Sequence, residues 1–69
     1  MNKFKTGDIV KGIVCGAFII DSMDKIAGEV VYRCHSVELN EQNQIISYNN
    51  GQMAMPADCF GEKISSLYE

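Results

Sequence analysis

Short apolar runs separated by polar turns make up most of this chain. Asn, Gly and Asp residues divide the sequence, and the runs between them are rich in Val, Ile, Tyr and Phe, a pattern typical of strands joined by turns. The first strand is predicted at 8–15 and the second at 17–21, with Gly12 and Gly16 marking a bend or a bulge. The segment 21–28 stays open between a loop and a single helical turn.

The third strand begins at Glu29, where apolar and polar positions alternate. Tyr32 and Cys34 fall on its apolar face, together with Val30, and Arg33 and His35 fall on its polar face. This alternation predicts a half-buried strand.

A bulge is required near Ser36 if this strand continues to Asn40. Val37 and Leu39 have the register opposite to that of Tyr32, and a slip of one residue moves side chains to the other face of a sheet. The polar segment that follows predicts a hairpin connection into the next strand.

That next strand is predicted at 44–48, after the connection at 40–43. Asn49, Asn50 and Gly51 tolerate positive φ, so they predict a second hairpin that leads into a strand at 52–55.

The chain is predicted to end in a turn and one more short strand. Pro56 excludes further central pairing, so 56–60 is predicted as a 3-10 turn, 61–64 as the last strand and 65–69 as a frayed tail. The expected fold is therefore one complete all-β domain over 1–64, built from short strands with one late 3-10 turn.

Length and composition narrow the class of protein. A chain of 69 residues has room for one core, and 46% hydrophobic with 22% charged residues is ordinary globular usage. Six basic against nine acidic residues give a net charge of −3, which disfavours nucleic acid as a partner. The sequence has no apolar run of membrane-spanning length and no apolar signal core, so we expect no membrane association and a cytoplasmic location.

Three cysteines at wide spacings exclude a complete intramolecular disulfide framework and fit a reducing compartment. Cys15, Cys34 and Cys59 with His35 have the composition of a Cys₃His zinc site, but no C-x₂₋₄-C pair presets two ligands. We interpret them as small buried apolar residues and predict no metal and no cofactor.

Catalytic chemistry has few candidates in this chain. His35 is the only histidine, so any general base must be this residue or a carboxylate. Cys34 points to the opposite face of the same strand, and we expect His35 to be an exposed strand residue. Asp21, Asp24 and Asp58 have neither calcium-loop spacing nor a Gly-rich phosphate loop beside them, so we assign them to loop solvation and turn capping.

Two short motifs resemble segments of SH3-like barrels. Residues 4–10, Phe-Lys-Thr-Gly-Asp-Ile-Val, are similar to the F-x-x-G-D-x-[VI] entry into the first long strand. Residues 51–60 resemble the closing segment, in which a strand ends, a 3-10 turn follows and an aromatic residue returns to the core. The resemblance implies a five-stranded SH3-like barrel, but it carries over no ligand, because no exposed aromatic row, aromatic cage or basic loop is visible.

One enzyme family shares this architecture, the plasmid-type dihydrofolate reductases, whose pore is lined by a V-Q-I-Y strand. The corresponding strand here is 52–55, Gln-Met-Ala-Met, in which Gln52 lacks β-branched neighbours and no tyrosine follows. This reading is a remote alternative, and we expect the protein not to be an enzyme.

The leading hypothesis is a non-catalytic protein-interaction module. It would act as a homo-oligomer, or as a small accessory or inhibitor protein that docks on a larger macromolecule, as is common for proteins of phages and mobile elements. The predicted contact residues are Tyr48, Met53, Met55, Arg33 and His35. Met53 and Met55 share one strand face, which is either core or an adaptable contact surface.

An alternative hypothesis, from a different functional class, is a barrel that associates with nucleic acid. Four of the six basic residues would then gather near the two termini as a positive patch on an acidic body. These residues are Lys3, Lys5, Lys11 and Lys63.

Overall fold

The computed structural model describes residues 4–14 and 16–66, and these form a single antiparallel sheet with the strand order β4-β3-β2-β1-β5. The five strands and the 3-10 turn before the last one confirm the predicted all-β class. Within the described residues the sheet does not close, and β4 and β5 are its edges. The elements are β1 Asp8–Gly12, β2 Ala17–Ile26, β3 Glu29–Leu39, β4 Ile45–Pro56, the 3-10 turn Ala57–Cys59 and β5 Phe60–Ser66.

The segment 21–28 is neither a loop nor a helical turn. β2 continues to Ile26 and pairs with β3 through a two-residue connection, in which Ala27 has φ 52° and Gly28 has φ 83°. Hairpin turns of this length need positive φ, which matches the twist of the flanking strands. Pairing with β3 therefore extends β2 through residues 22–26, whose polar composition does not predict a strand.

A bulge lies near Ser36, but it is in β4 and not in β3 as predicted. Asn49, Asn50 and Gly51 lie opposite Ser36, between the partners of His35 and Val37. Val37 stays on the outer face, where a second apolar cluster buries it, and β3 continues to Leu39 without an extra residue. The polar connection after it is a hairpin closed by Asn40, whose Oδ1 accepts hydrogen bonds from the N–H groups of Gln42 and Gln44, each at 2.9 Å.

The second predicted hairpin, at Asn49-Asn50-Gly51, is wrong. β4 runs without a break along β3, with Tyr48 opposite Val37 and Gln52 opposite His35. The Asn-Asn-Gly segment forms a bulge between these pairs, and Asn49 Oδ1 accepts the Gly51 N–H at 2.8 Å. The Asn49 side chain thus satisfies a backbone N–H within the bulge, and β4 stays paired with β3 on both sides of it.

Two strand ends also differ from the prediction. β1 ends at Gly12, because the Gly12 N–H donates to the Gly16 carbonyl at 3.0 Å and closes a turn there. Ile13 and Val14 therefore lie in a bend, and the predicted strand end at Cys15 falls outside the described residues. β5 reaches Ser66, where a tail was expected to begin at residue 65, and residues 67–69 fall outside the described part.

Apolar side chains cover both faces of the sheet. On the inner face, Phe4, Tyr32 and Phe60 meet edge to face with centroids 5.4–5.8 Å apart, and the Phe4 N–H donates to Tyr32 Oη at 3.1 Å. On the outer face, Ile19 and Val37 are buried with Ile9 and Ala17. The residues described contain no helix with the length and apolar character needed to cross a membrane.

Candidate interaction surfaces

The sheet register places the five predicted contact residues on two different faces. Residues directly opposite each other in an antiparallel pair share a face. Met53 lies opposite Cys34 on the inner face, and Met55, two residues later, is on the same side, opposite Tyr32. Gln52 lies opposite His35 on the outer face. The two methionines and the remaining predicted residues therefore belong to separate surfaces.

The inner-face surface is an apolar patch at one end of the core, which we call the methionine patch and define as Ile13, Val14, Met53, Met55 and Cys59. Ile13 is 67% exposed, Val14 90% and Met53 38%. An open cavity of about 160 Å³ lies within the patch. Its lining consists of Gly12, Ile13, Val14, Phe18, Met55 and Cys59.

Backbone and side-chain contacts hold the patch together. The Ile13 N–H donates to the Cys59 carbonyl at 3.0 Å, which fixes the bend after β1 against the 3-10 turn. Met55 packs against the inner core, and its Sδ lies 3.8 Å from Cys34 Sγ. The sequence left open whether Met53 and Met55 belong to the core or to the surface. In the structure, Met55 is half-buried and packs against the core, whereas Met53 is exposed.

The methionine patch carries no charge. The sequence has no acidic or basic side chain from Gly12 to Ile20, nor from Gln42 to Ala57. β4 itself, at the edge of the sheet, is uncharged along all 12 of its residues, whereas each of the other four strands carries charged side chains.

The outer-face surface is a polar platform around His35. The imidazole stacks on the ring of Tyr48 with centroids 4.9 Å apart and planes inclined by 26°. Its Nδ1 contacts Asp21 Oδ2, which also accepts a hydrogen bond from Gln52 Nε2 at 3.2 Å. Only 13% of the His35 side chain is exposed, so the expectation of an exposed histidine is wrong. The tyrosine ring and the carboxylate cover it.

Asp21 reaches His35 because of a bulge in β2. The register between β2 and β3 shifts between Ile20 and Ser22, and the extra residue of a bulge commonly re-aims its side chain. Arg33 lies on the same face and pairs with Asp24 at 2.9 Å, with both side chains largely in water. Such exposed ion pairs stabilise a fold by about 1 kcal/mol at most.

Cys34 is not set up as a nucleophile. It is fully buried, and burial, followed by the negative charge of Asp21, raises its pKa to about 11. Because the thiolate is the reactive form, this residue is held in its unreactive state at neutral pH. Cys59 is half-buried, and Cys15 falls outside the described residues. In the described part of the chain, no three His, Cys, Asp or Glu side chains gather as metal ligands.

The lysines of the nucleic-acid hypothesis do not surround one cavity. Lys5 and Lys63 line a cavity of about 400 Å³, in which Lys63 Nζ lies 3.9 Å from Asp8 Oδ1. Lys11 lines a different cavity, and Lys3 falls outside the described residues.

Ile13 and Val14 are exposed residues of the methionine patch that the sequence analysis does not identify. The sequence pattern places them in the first strand, where they would alternate between two faces. No local signal marks them as exposed, because Ile and Val favour strands and buried positions.

The chain matches no family model, no curated protein and no solved structure.

Proposed function

We propose that this protein is a non-catalytic protein-interaction module with an SH3-like barrel fold, and that it contacts its partner through the methionine patch. One observation carries the proposal: Val14 is 90% exposed beside an open apolar cavity, and Met53 adds a further exposed thioether. Exposed apolar patches on small domains mark protein contact sites. Methionine side chains adapt to the shape of a partner because they are flexible and polarisable.

Three features support the barrel. β1 to β4 follow one another as neighbours in the sheet, and β5 returns to pair with β1. The 3-10 turn Ala57–Cys59 separates β4 from β5, and Phe60 after it is 2% exposed in the inner core. These elements coincide with the two motifs that resemble SH3-like barrels.

The methionine patch is a better contact surface than the polar platform. The polar groups of Asp21, His35 and Gln52 already contact one another, so covering them would cost desolvation with little new bonding. Ile13 and Val14 have no such cost, because burial of apolar area is favourable by about 25 cal/mol per Å². A partner therefore gains more on the inner-face surface.

Site-specific photo-crosslinking in cells tests the proposal. A photoreactive amino acid is placed at position 14 in one variant and at position 46 in a matched control, since Ile46 is 63% exposed but does not line the cavity. We expect covalent adducts to a polypeptide from position 14 and none from position 46. Adducts from position 46 alone, or from neither position, would refute a partner at the methionine patch.

A further inference from the structure

Electrostatics restrict where two copies of this acidic chain can meet. The net charge is −3, and the outer face presents Asp21 and Asp24 while the free edge at β5 presents Glu62. A contact between two copies through either surface would bring carboxylates close to other carboxylates, and these like charges repel. Four of the five residues of the methionine patch belong to two uncharged stretches, 12–20 and 42–57. Asp58, before Cys59 in the 3-10 turn, is the carboxylate beside the patch in the sequence, so two copies bring fewer like charges together there.

We propose that the partner is a second copy of this chain, and that two methionine patches meet across a two-fold axis. This inference rests on the proposed function, because it names the occupant of the same surface. A two-fold interface uses one patch on both subunits and must be self-complementary. The methionine patch meets this requirement, since it has both a projecting side chain, Val14, and a cavity to receive one.

The size of the cavity fits a single apolar side chain. It measures about 160 Å³, and an apolar cavity of about 150 Å³ in a protein core accommodates a benzene molecule. In the dimer, Val14 of each copy enters the cavity of the other, between Phe18 and Met55. Ile13, which also lines the cavity, and Met53, on the same strand face as Met55, then exclude water from the contact.

A dimer also suits a domain of this length. A chain of 69 residues buries a smaller share of its surface than a larger domain, so its fold is marginal alone. Burial of Val14, which is 90% exposed in the single chain, supplements the core. Interfaces of homodimers are accordingly more apolar than the rest of a protein surface.

The solution mass tests the inference. Light scattering behind a sizing column, with reductant and over a dilution series, compares the unchanged chain with Val14→Asp, Met53→Gln and the control Ile46→Asp. We expect a dimer that dissociates on dilution, with a dissociation constant raised by about tenfold or more in Val14→Asp and Met53→Gln. Ile46→Asp should match the unchanged chain, because Ile46 is outside the patch. Unfolding midpoints verify that all variants fold.

The outcomes separate this inference from the proposed function. A monomer at every concentration overturns the dimer, and adducts from position 14 to a different protein would then leave the interaction module standing. A dimer that survives Val14→Asp but is lost in Ile46→Asp also overturns it, since the contact would lie on β4 outside the patch. Adducts from position 14 that map to Met53 or Met55 of a second copy support both the dimer and the proposed interaction module.

Discussion

The imidazole of His35 stacks on the ring of Tyr48 across the bulge in β4. The backbone partner of His35 is Gln52, on the far side of that bulge, so the stack joins the strand segment before the bulge to the segment after it. Tyr48 therefore stabilises an irregular part of the edge strand, while 47% of the residue stays exposed.

Replacement of Tyr48 tests this role. Tyr48→Ala removes the stacked ring, and we expect it to lower the free energy of unfolding by about 1 kcal/mol, as for cross-strand aromatic pairs. Tyr48→Phe keeps the ring and should change the free energy of unfolding little. Urea unfolding gives both values, and the imidazole proton shifts of His35 report the stack directly. Equal losses in both variants would show that the hydroxyl group, not the ring, matters.

The buried thiol of Cys34 predicts a stability loss in alkaline solution. Its pKa rises from 9.0 to about 11 in the fold, so the unfolded chain loses its proton first and rising pH favours unfolding. From about pH 8 to about pH 12 this residue should lower the free energy of unfolding by about 2 to 3 kcal/mol, at 1.36 kcal/mol per pKa unit. Outside that range its contribution is constant.

Two variants isolate that effect from other groups that titrate at high pH. Cys34→Ala lacks the thiol and should lose less stability over this pH range than the unchanged chain. Cys59→Ala keeps the buried thiol and should follow the unchanged chain. Parallel pH profiles for Cys34→Ala and the unchanged chain would contradict the assignment.

The turn between β2 and β3 predicts a stabilising substitution. Ala27 has φ 52°, a left-handed conformation that costs an L-residue other than glycine about 1 to 2 kcal/mol. Asparagine tolerates this conformation, so Ala27→Asn should raise the free energy of unfolding by about 0.5 to 1 kcal/mol. The control is Ala54→Asn, at an exposed strand position without positive φ, which should give no gain. A gain of the same size in Ala54→Asn would rule out relief of strain as the cause.

Much of the fold follows from local patterns in the sequence. Alternation from Val30 to Cys34 identifies β3, and the polar residues from Asn40 to Asn43 identify the hairpin into β4. Pro56 ends β4 and begins the 3-10 turn, because it cannot donate to the ladder. These features depend on residues close together in the chain.

The errors come from pairing between distant residues. Asn49, Asn50 and Gly51 favour a hairpin locally, but pairing with β3 keeps the segment in β4 as a bulge. The polar end of β2 becomes a strand only because β3 lies beside it. The methionine spacing identifies two of the five patch residues, whereas Ile13 joins the patch through a hydrogen bond to Cys59 that no local pattern reveals.

Methyl NMR of methionine most directly tests the claim that the methionine patch is the contact surface. Met23 and Met53 are equally exposed, at 39% and 38%, but Met23 lines a cavity on another part of the fold, which makes it an internal control. With the methionine methyl groups labelled with ¹³C, spectra are recorded over a dilution series and in cell extract. We predict that the Met53 signal shifts or broadens when the protein is bound, whether to a second copy or to another protein, while the Met23 signal stays unchanged. A shift of Met23 with Met53 unchanged would contradict the claim.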